Sequence, residues 1–210
     1  MTQISQTVLD LMTESLIDLM TIMNIRAELL KEHSKEQANK ISDYACTSKK
    51  TFDELMQCFL DKQYRVAQRA AWSVSIAAQK KPEIIQPYIS TLVAQLQNKE
   101  VHDAVIRNSV RILQQVEIPE ILHGEVMNAC FQFIETPATP AAIKAFSLTT
   151  LFNLSKLYPE IKPELKLIIE ELWDTETAAF KSRGKKILSE LKTIDHSPLT
   201  ITHCPFSKNL

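Results

Sequence analysis

The sequence predicts an all-α protein in which antiparallel helical hairpins stack one on the next. Three observations predict this fold class: the chain of 210 residues holds only two glycines, one tripeptide recurs at repeat-like intervals, and the apolar residues follow a helical period. Apolar residues make up 45% of the chain and charged residues 23%, as in an ordinary globular protein. A chain of this length can bury a core without a disulfide or metal to hold it together.

Glycine is scarce, with Gly124 and Gly184 as the two examples, where average usage would give about fifteen. Phosphate-binding P-loops and dinucleotide-binding turns each need several glycines close together. The tight turns of β-hairpins also favour glycine. The sequence therefore excludes both nucleotide-binding motifs and disfavours a sheet protein.

The tripeptide Pro-Glu-Ile begins at Pro82, Pro119 and Pro159, at intervals of 37 and 40 residues. In each case it follows one helical stretch and opens another, and proline is well suited to the first turn of a helix. This recurrence predicts a repeated structural unit of two helices.

The apolar residues between these tripeptides recur every three or four positions, which indicates helices with one buried row. The predicted buried rows are Val66, Ala70, Val74 and Ala77 in one helix, and Val105, Ser109, Ile112 and Val116 in the next. The predicted pairs are 51–61 with 64–80, 84–97 with 102–115, 119–135 with 140–157, and 161–173 with 177–192. Capping boxes are predicted at Ser34 and Thr51, and an N-cap at Thr139 before Pro140.

The stretches RVAQRAAWSVSIAAQKKPEIIQPYISTLVAQL and VHDAVIRNSVRILQQVEIPEIL resemble HEAT repeat junctions, with a small-residue second helix, a proline turn and the next first helix. The resemblance covers residues 50–192. It implies a right-handed α-solenoid of four to five antiparallel hairpins, preceded by a helical cap over 1–49 and followed by an extended tail over 193–210. HEAT-like families serve mostly as binding scaffolds, and their second helices line the concave surface.

No catalytic or metal-binding motif is present among the five scattered histidines and four cysteines, so no catalytic residue, metal site or cofactor is expected. The cysteines are interpreted as free thiols, three of them buried in helices. No apolar run approaches the roughly 20 residues that span a bilayer, and the N-terminus lacks the basic start of a secretory signal. We therefore expect a cytoplasmic protein without a membrane partner.

Charge is divided between the first and second helices of the predicted pairs. The segments 63–81, 102–116, 140–157 and 177–192, which contain the second helices, carry 13 Lys or Arg against two acids. The segments 50–62, 83–100, 119–136 and 159–176, which contain the first helices, carry five Lys against 14 acids. Together with the HEAT resemblance, this division implies a basic concave surface that attracts anionic partners. The alternative is that the cations complement helix carboxyl ends and that Asp103 and Arg107 form a routine ion pair.

The residues predicted to bind a partner are Arg65, Arg69 and Trp72 on the helix 64–80, and Arg107 and Arg111 on the next second helix. Arginine and tryptophan dominate the energetics of protein interfaces, and these residues lie opposite the predicted buried rows. The structural alternative is that Trp72 packs on a neighbouring repeat with an arginine stacked over it.

Three functions remain open at this point. The leading hypothesis is a non-enzymatic protein-binding scaffold whose basic concave surface holds an acidic protein segment or peptide. The second is nucleic-acid binding, including a HEAT-type DNA glycosylase-like repair protein, although no catalytic acid can be assigned on the basic face. The third is a structural subunit of a homo-oligomer.

Overall fold

The computed structural model describes residues 23–195, with side chains described through residue 191, and the regular elements of that range are all helical. The α-helices are α1 (Ile25–Lys31), α2 (Lys35–Ala45), α3 (Lys49–Phe59), α4 (Tyr64–Lys80), α5 (Pro82–Ile85), α6 (Ile89–Leu96), α7 (Asp103–Leu113), α8 (His123–Glu135), α9 (Ala141–Leu154), α10 (Lys162–Glu171) and α11 (Ala178–Asp195). Short 3₁₀ turns occupy Gln86–Tyr88, Glu120–Leu122 and Pro159–Ile161. The predicted helical stretch before residue 23 lies outside the described residues, and so does the predicted tail over 193–210 from residue 196 onward. Residues 193–195 of that predicted tail belong to α11.

The predicted helices are confirmed to within a few residues, with one difference in shape. The stretch 84–97, predicted as a single helix, forms α5 and α6 with the turn Gln86–Tyr88 between them. Pro87 lies in this turn, and it has no N–H to continue the ladder of helical hydrogen bonds. Proline therefore divides the first helix of this hairpin into two pieces.

The chain forms two compact units, residues 1–122 and residues 123–210. In the first unit, α1 pairs with α2, α3 with α4, and α6 with α7. The second helices of these hairpins also pack directly on one another, because α4 contacts α2 on one side and α7 on the other. In the first unit the second helices therefore form a continuous layer.

The second unit repeats this arrangement with two hairpins. Helix α8 pairs with α9, and α10 pairs with α11. The second helices α9 and α11 again pack side by side.

Helix α4 is buried along two rows of residues, which is why it can pack between two neighbours. The predicted row Val66, Ala70, Val74 and Ala77 is fully buried, at 0% exposure for each side chain. A second buried row consists of small residues: Ala67, Ala71, Ser75 and Ala78. Small side chains let neighbouring helices approach closely, and close packing maximises dispersion contacts.

Two of the predicted helix starts are placed differently by the structure. Ser34 caps α2 as predicted, since its hydroxyl accepts the N–H of Gln37 at 3.0 Å. Helix α3 begins earlier than predicted: Ser48 is the N-cap, and Thr51 is the third helical residue of the same capping box. At α9 the N-cap position is held by Pro140 without a side-chain hydrogen bond, so Thr139 is not the cap.

Candidate functional site

The solvent-accessible side of α4 is a narrow stripe opposite its buried rows. It contains Arg65, Arg69, Trp72 and Ile76, of which Arg65 is exposed and the other three are half-buried. The accessible stripe of α7 contains Asp103, Arg107, Arg111 and Gln114, of which Asp103 and Arg107 are exposed. Since α4 and α7 pack side by side, the two stripes lie on adjacent helices of the first unit. All five predicted binding residues lie on these two stripes, which we call the α4/α7 face.

Arg65 is held in place by its neighbour Tyr64. Its Nε atom donates a hydrogen bond to the Tyr64 hydroxyl at 3.0 Å, and its guanidinium carbon lies 5.8 Å from the centre of the ring. No carboxylate oxygen of the described residues lies within 4.0 Å of this guanidinium group. The position of Arg65 is therefore restrained while its charge is not neutralised.

Arg69 and Trp72 contact the preceding hairpin. Arg69 donates from Nη1 to the carbonyl oxygen of Leu29 at 2.7 Å. That carbonyl belongs to the last turn of α1, where backbone acceptors have no partner within the helix. The indole of Trp72 meets the ring of His33 edge-on, with 5.4 Å between ring centres. Arg69 thus joins α4 to α1, and Trp72 joins α4 to the turn between α1 and α2.

These contacts agree in part with the structural alternative for Trp72. The indole does pack on a neighbouring hairpin, as that alternative requires. Its aromatic partner is His33, however, and among the described residues no arginine stacks over the indole. Arg69 instead donates its hydrogen bond to the last turn of α1.

Arg107 and Arg111 on α7 make no ion pair with a described residue. The ion pair between Asp103 and Arg107 that the alternative interpretation of the charges requires is absent, because no carboxylate oxygen of Asp103 lies within 4.0 Å of the guanidinium group. Arg107 is exposed and Arg111 is half-buried. The α4/α7 face therefore carries three arginines, counting Arg65, without a carboxylate partner in the described part of the chain.

Helices α2, α4 and α7 run in the same direction. The ring of Tyr64, at the start of α4, stacks on that of His102, just before α7, at 6.0 Å and 18°. At the other end, Lys80 in the last turn of α4 pairs with Asp43 in the last turn of α2. Arg69 and Arg107 each follow the stacked residue of their helix by five positions, so we expect them to lie at similar heights on the two helices.

His102 has a second role as the N-cap of α7. Its Nδ1 atom accepts the backbone N–H of Ala104 at 3.0 Å. With Nδ1 acting as acceptor, the neutral ring carries its hydrogen on Nε2. The cap therefore fixes both the ring position and the tautomer.

A cavity of about 430 Å³ opens between the α3–α4 turn and the α6–α7 turn. The stacked rings of Tyr64 and His102 line it, together with Leu60, Val105 and Glu100. Its volume is in the range of ligand pockets, which is about 300–1,000 Å³. This cavity was not predicted from the sequence. The sequence does place an aromatic ring at the start of each of two successive second helices. That the two rings meet depends on the register between the helices, which the sequence does not reveal.

The second unit does not carry the predicted cations in the same way. Lys144, counted as part of the basic surface, is 2% exposed and forms an ion pair with Glu176. The accessible positions on the central part of α9 are Phe146, Thr149 and Asn153, none of which is charged. Of the two lysines in the predicted second helix 140–157, Lys144 therefore does not contribute to an accessible basic surface, because it is buried in an ion pair. Lys156, just after α9, is exposed, and its Nζ lies over the ring of Phe152. Continuity of a basic surface from one unit to the other stays a prediction.

The described cysteines are poor nucleophiles. Burial raises the pKa of the Cys58 thiol to about 11 and that of the Cys130 thiol to about 12. Burial also raises the pKa of Cys46, which is half-buried at the C-cap of α2 rather than buried within a helix as predicted. A thiol reacts as its thiolate, so these three groups are mostly in the unreactive form at neutral pH. Cys204 lies outside the described residues.

The described part of the chain contains no group of three or more His, Cys, Asp or Glu side chains arranged to hold a metal ion. None of its helices combines the length and the apolar character needed to cross a bilayer. Among the described residues, the α4/α7 face and the adjoining cavity are the candidate binding features.

Helical hairpins whose second helices pack in series define the class of α-helical repeat proteins. The family model of the HEAT repeat domain matches residues 25–191, and the chain belongs to that family. Neither the curated proteins nor the solved structures compared with the chain contain a match.

Proposed function

We propose that this chain is a non-enzymatic protein-binding scaffold in which the α4/α7 face holds an acidic segment of a partner. The observation that supports this function is the set of Arg65, Arg107 and Arg111, which lie on accessible stripes of adjacent helices without a described carboxylate partner. A planar guanidinium group binds carboxylates through two parallel hydrogen bonds.

Arg69 and Trp72 have a supporting role in this proposal. Their contacts to Leu29 and His33 hold α4 against the preceding hairpin. A surface that is already ordered loses little conformational entropy when a partner binds. The two residues thus keep α4 and its residue Arg65 in position, and the accessible part of the half-buried Trp72 adds apolar contact area.

The proposal places the scaffold in the cytoplasm. Cys46, Cys58 and Cys130 are free thiols, and free thiols are typical of reducing compartments. This location can be tested by fractionating cells that produce the tagged chain.

The experiment uses a fluorescent peptide of twelve residues rich in Asp and Glu, titrated with the full chain at low salt. We expect Arg65→Glu combined with Arg107→Glu to abolish binding, since each change replaces an attractive charge with a repulsive one. The matched control is Lys166→Glu, which reverses an exposed cation on α10 in the other unit. It should bind as the wild type does. Arg69 is left unchanged, because its hydrogen bond to Leu29 makes a substitution there destabilising.

The two alternative functions give different results in the same assay. A DNA-binding protein should bind a duplex of about 20 base pairs more tightly than the peptide, with a log–log salt slope of about −0.9 per phosphate contacted. A homo-oligomeric subunit that uses this face should dissociate when the two arginines are reversed, which sedimentation measures. A folded double variant that still binds the acidic peptide would refute the proposed function.

A further inference from the structure

The cavity beside the α4/α7 face has exposed apolar side chains around its mouth. Leu60 is 47% exposed and Tyr64 is 55% exposed, whereas Phe59 and Val105, deeper in the same cavity, are each 1% exposed. Exposed apolar side chains around a concave opening are typical of a surface that a partner covers.

We propose that this cavity receives a tyrosine or tryptophan side chain from the same acidic partner segment that the arginines hold. The inference rests on the proposed function and adds the identity of the anchoring residue. The volume of about 430 Å³ accommodates one large aromatic side chain together with part of its backbone. Aromatic residues are the commonest anchors at the centre of protein interfaces.

The walls of the cavity favour an aromatic side chain that can also form hydrogen bonds. The stacked rings of Tyr64 and His102 offer an aromatic surface for ring packing. The carboxylate of Glu100 forms no ion pair with a described residue, so it is an acceptor for a phenol O–H or an indole N–H. Because Nδ1 of His102 is engaged by Ala104, that ring contributes a donor at Nε2.

Charge sets the direction in which the partner segment lies. The cavity is lined by two carboxylates, Asp61 and Glu100, and by one ammonium group, that of Lys62, so the formal charge of its lining is negative and disfavours an acidic side chain. Asp61 is already held by Arg26 and by the N–H of Gln63. Acidic residues of the partner are therefore favoured on the other side of Tyr64.

The arginines lie on that side. Arg65 rests on the ring of Tyr64, and Arg107 lies on the first two turns of α7 beyond the cap His102. The recognised pattern is thus one aromatic residue with acidic residues on one flank only. This asymmetry distinguishes it from general attraction between opposite charges.

The experiment selects binders from a phage-displayed library of random twelve-residue peptides against the full chain at physiological salt. We expect enriched peptides to contain a tyrosine or tryptophan with Asp or Glu on one side. Dissociation constants of synthetic versions are then measured by fluorescence anisotropy. Replacing the aromatic residue of the peptide by alanine should weaken binding by about tenfold or more.

The protein is varied in parallel. Tyr64→Ala should weaken binding of the selected peptide by about tenfold or more, because it removes a wall of the cavity and also the support of Arg65. Leu60→Ala, which removes another residue of the cavity lining and leaves the contact between Tyr64 and Arg65 unchanged, should weaken binding by a smaller factor. Both residues are largely exposed, so the helical content and melting curve should stay close to those of the wild type. The matched control is Leu167→Ala, which removes an equally exposed apolar side chain from the other unit, and which should bind normally.

The outcomes distinguish a failure of the cavity assignment from a failure of the proposed function. One outcome is that the enriched peptides are acidic but have no preferred aromatic residue, and that their binding depends on Arg65 and Arg107 but not on Tyr64. This outcome would overturn the cavity assignment and leave the proposed function standing. Aromatic peptides without acids, or no enrichment at all, would overturn both. A synthetic peptide of residues 196–210 that displaces the selected peptides would identify the chain's own tail as the occupant, and it would also overturn the cavity assignment.

Discussion

Lys144 is a charged residue in the interior of the second unit. Its side chain is 3% exposed and that of Glu176 is 10% exposed, so the ion pair between them is almost completely removed from water. Glu176 also accepts the backbone N–H of Thr177 at 3.2 Å, just before α11 begins. The pair therefore fixes the α10–α11 turn against α9.

Removing one partner of this pair should be costly. We expect Glu176→Ala to lower the free energy of unfolding by about 3 kcal/mol, because it leaves an uncompensated buried ammonium group. The double variant Lys144→Met with Glu176→Leu should recover most of that loss, since apolar residues of similar size replace both charges. Urea denaturation measures both values. Equal losses in the single and double variants would show that the pair contributes through packing alone.

Glu28 gives a prediction about pH. Its pKa is lowered from 4.5 to about 2, first by the hydrogen bond from Lys31 and then by those from Gln37 and Lys40. A carboxylate whose pKa falls on folding stabilises the protein above its unfolded pKa. That stabilisation is lost as the pH falls from 4.5 towards 2. We expect the stability difference between the wild type and Glu28→Gln to be largest at pH 6 and to shrink through this range. Urea titrations at a series of pH values measure it, and a difference independent of pH would contradict the assignment.

At the scale of the helix, the two glycines of the chain provide a matched pair. Gly184 lies in α11, and a Cβ atom there would come 2.9 Å from Cγ2 of Ile169 and 3.4 Å from Cζ3 of Trp173. Ile169 is fully buried and has little room to move. Gly124 lies in the first turn of α8, and a Cβ atom there would meet nothing within 4 Å.

Alanine at these two positions should therefore have opposite effects. Gly124→Ala should stabilise the protein by up to about 1 kcal/mol, because it raises helix propensity without a clash. Gly184→Ala gains the same propensity, but overpacking typically costs about 1–3 kcal/mol, so we expect a net loss. Thermal or urea denaturation of the two variants checks the sign of each. Stabilisation by Gly184→Ala would mean that α10 and α11 can separate without penalty.

The helices could be predicted from the sequence, but several of their ends could not. The small and apolar residues of α4 recur with the helical period over its whole length, so the signal was strong. Helix starts depend on single hydrogen bonds, and several residues near a start can make them. At α3 both Ser48 and Thr51 were possible caps, and the structure uses Ser48 as the cap and Thr51 as its partner. At α9 the N-cap residue is Pro140, which has no side chain able to cap.

The accessibility of the residues in the candidate site could be predicted from the sequence, whereas their contacts with other hairpins could not. Helical period and the repeat together placed Arg65, Arg69 and Arg107 on accessible stripes, because accessibility follows from the buried rows. Nothing in the sequence indicates that Arg69 reaches the carbonyl of Leu29, which lies far away along the chain. The same limitation applies to Lys144, because its acidic partner lies beyond another helix. Local pattern therefore predicts which side of a helix is exposed, whereas partners across hairpins depend on packing.

At the scale of the whole molecule, the predicted binding residues belong to one unit. Residues 1–122 contain α1 to α7, whose hairpins pack on one another and supply the α4/α7 face. We expect a fragment of residues 1–122 to fold by itself and to bind the acidic peptide with the affinity of the full chain. Far-UV circular dichroism and fluorescence anisotropy measure the two properties.

The control for this fragment carries Arg65→Glu and Arg107→Glu, and it should fold without binding. A folded fragment that fails to bind would show that residues 123–210 contribute to the site. A fragment that does not fold would show that the first unit depends on the second for its stability.

The common direction of α2, α4 and α7 gives one edge of this unit an electrostatic character of its own. Parallel helices bring their amino-terminal N–H groups to the same edge, and each helix macrodipole places about half a positive charge there. At α4 no side chain caps these groups, since Gln63 makes no such hydrogen bond. The edge that holds Tyr64 and His102 thus keeps a positive backbone potential that no substitution of an arginine removes. Reversing the charges of Arg65 and Arg107 should consequently remove the attraction of the side chains for an acidic segment while leaving this backbone contribution unchanged.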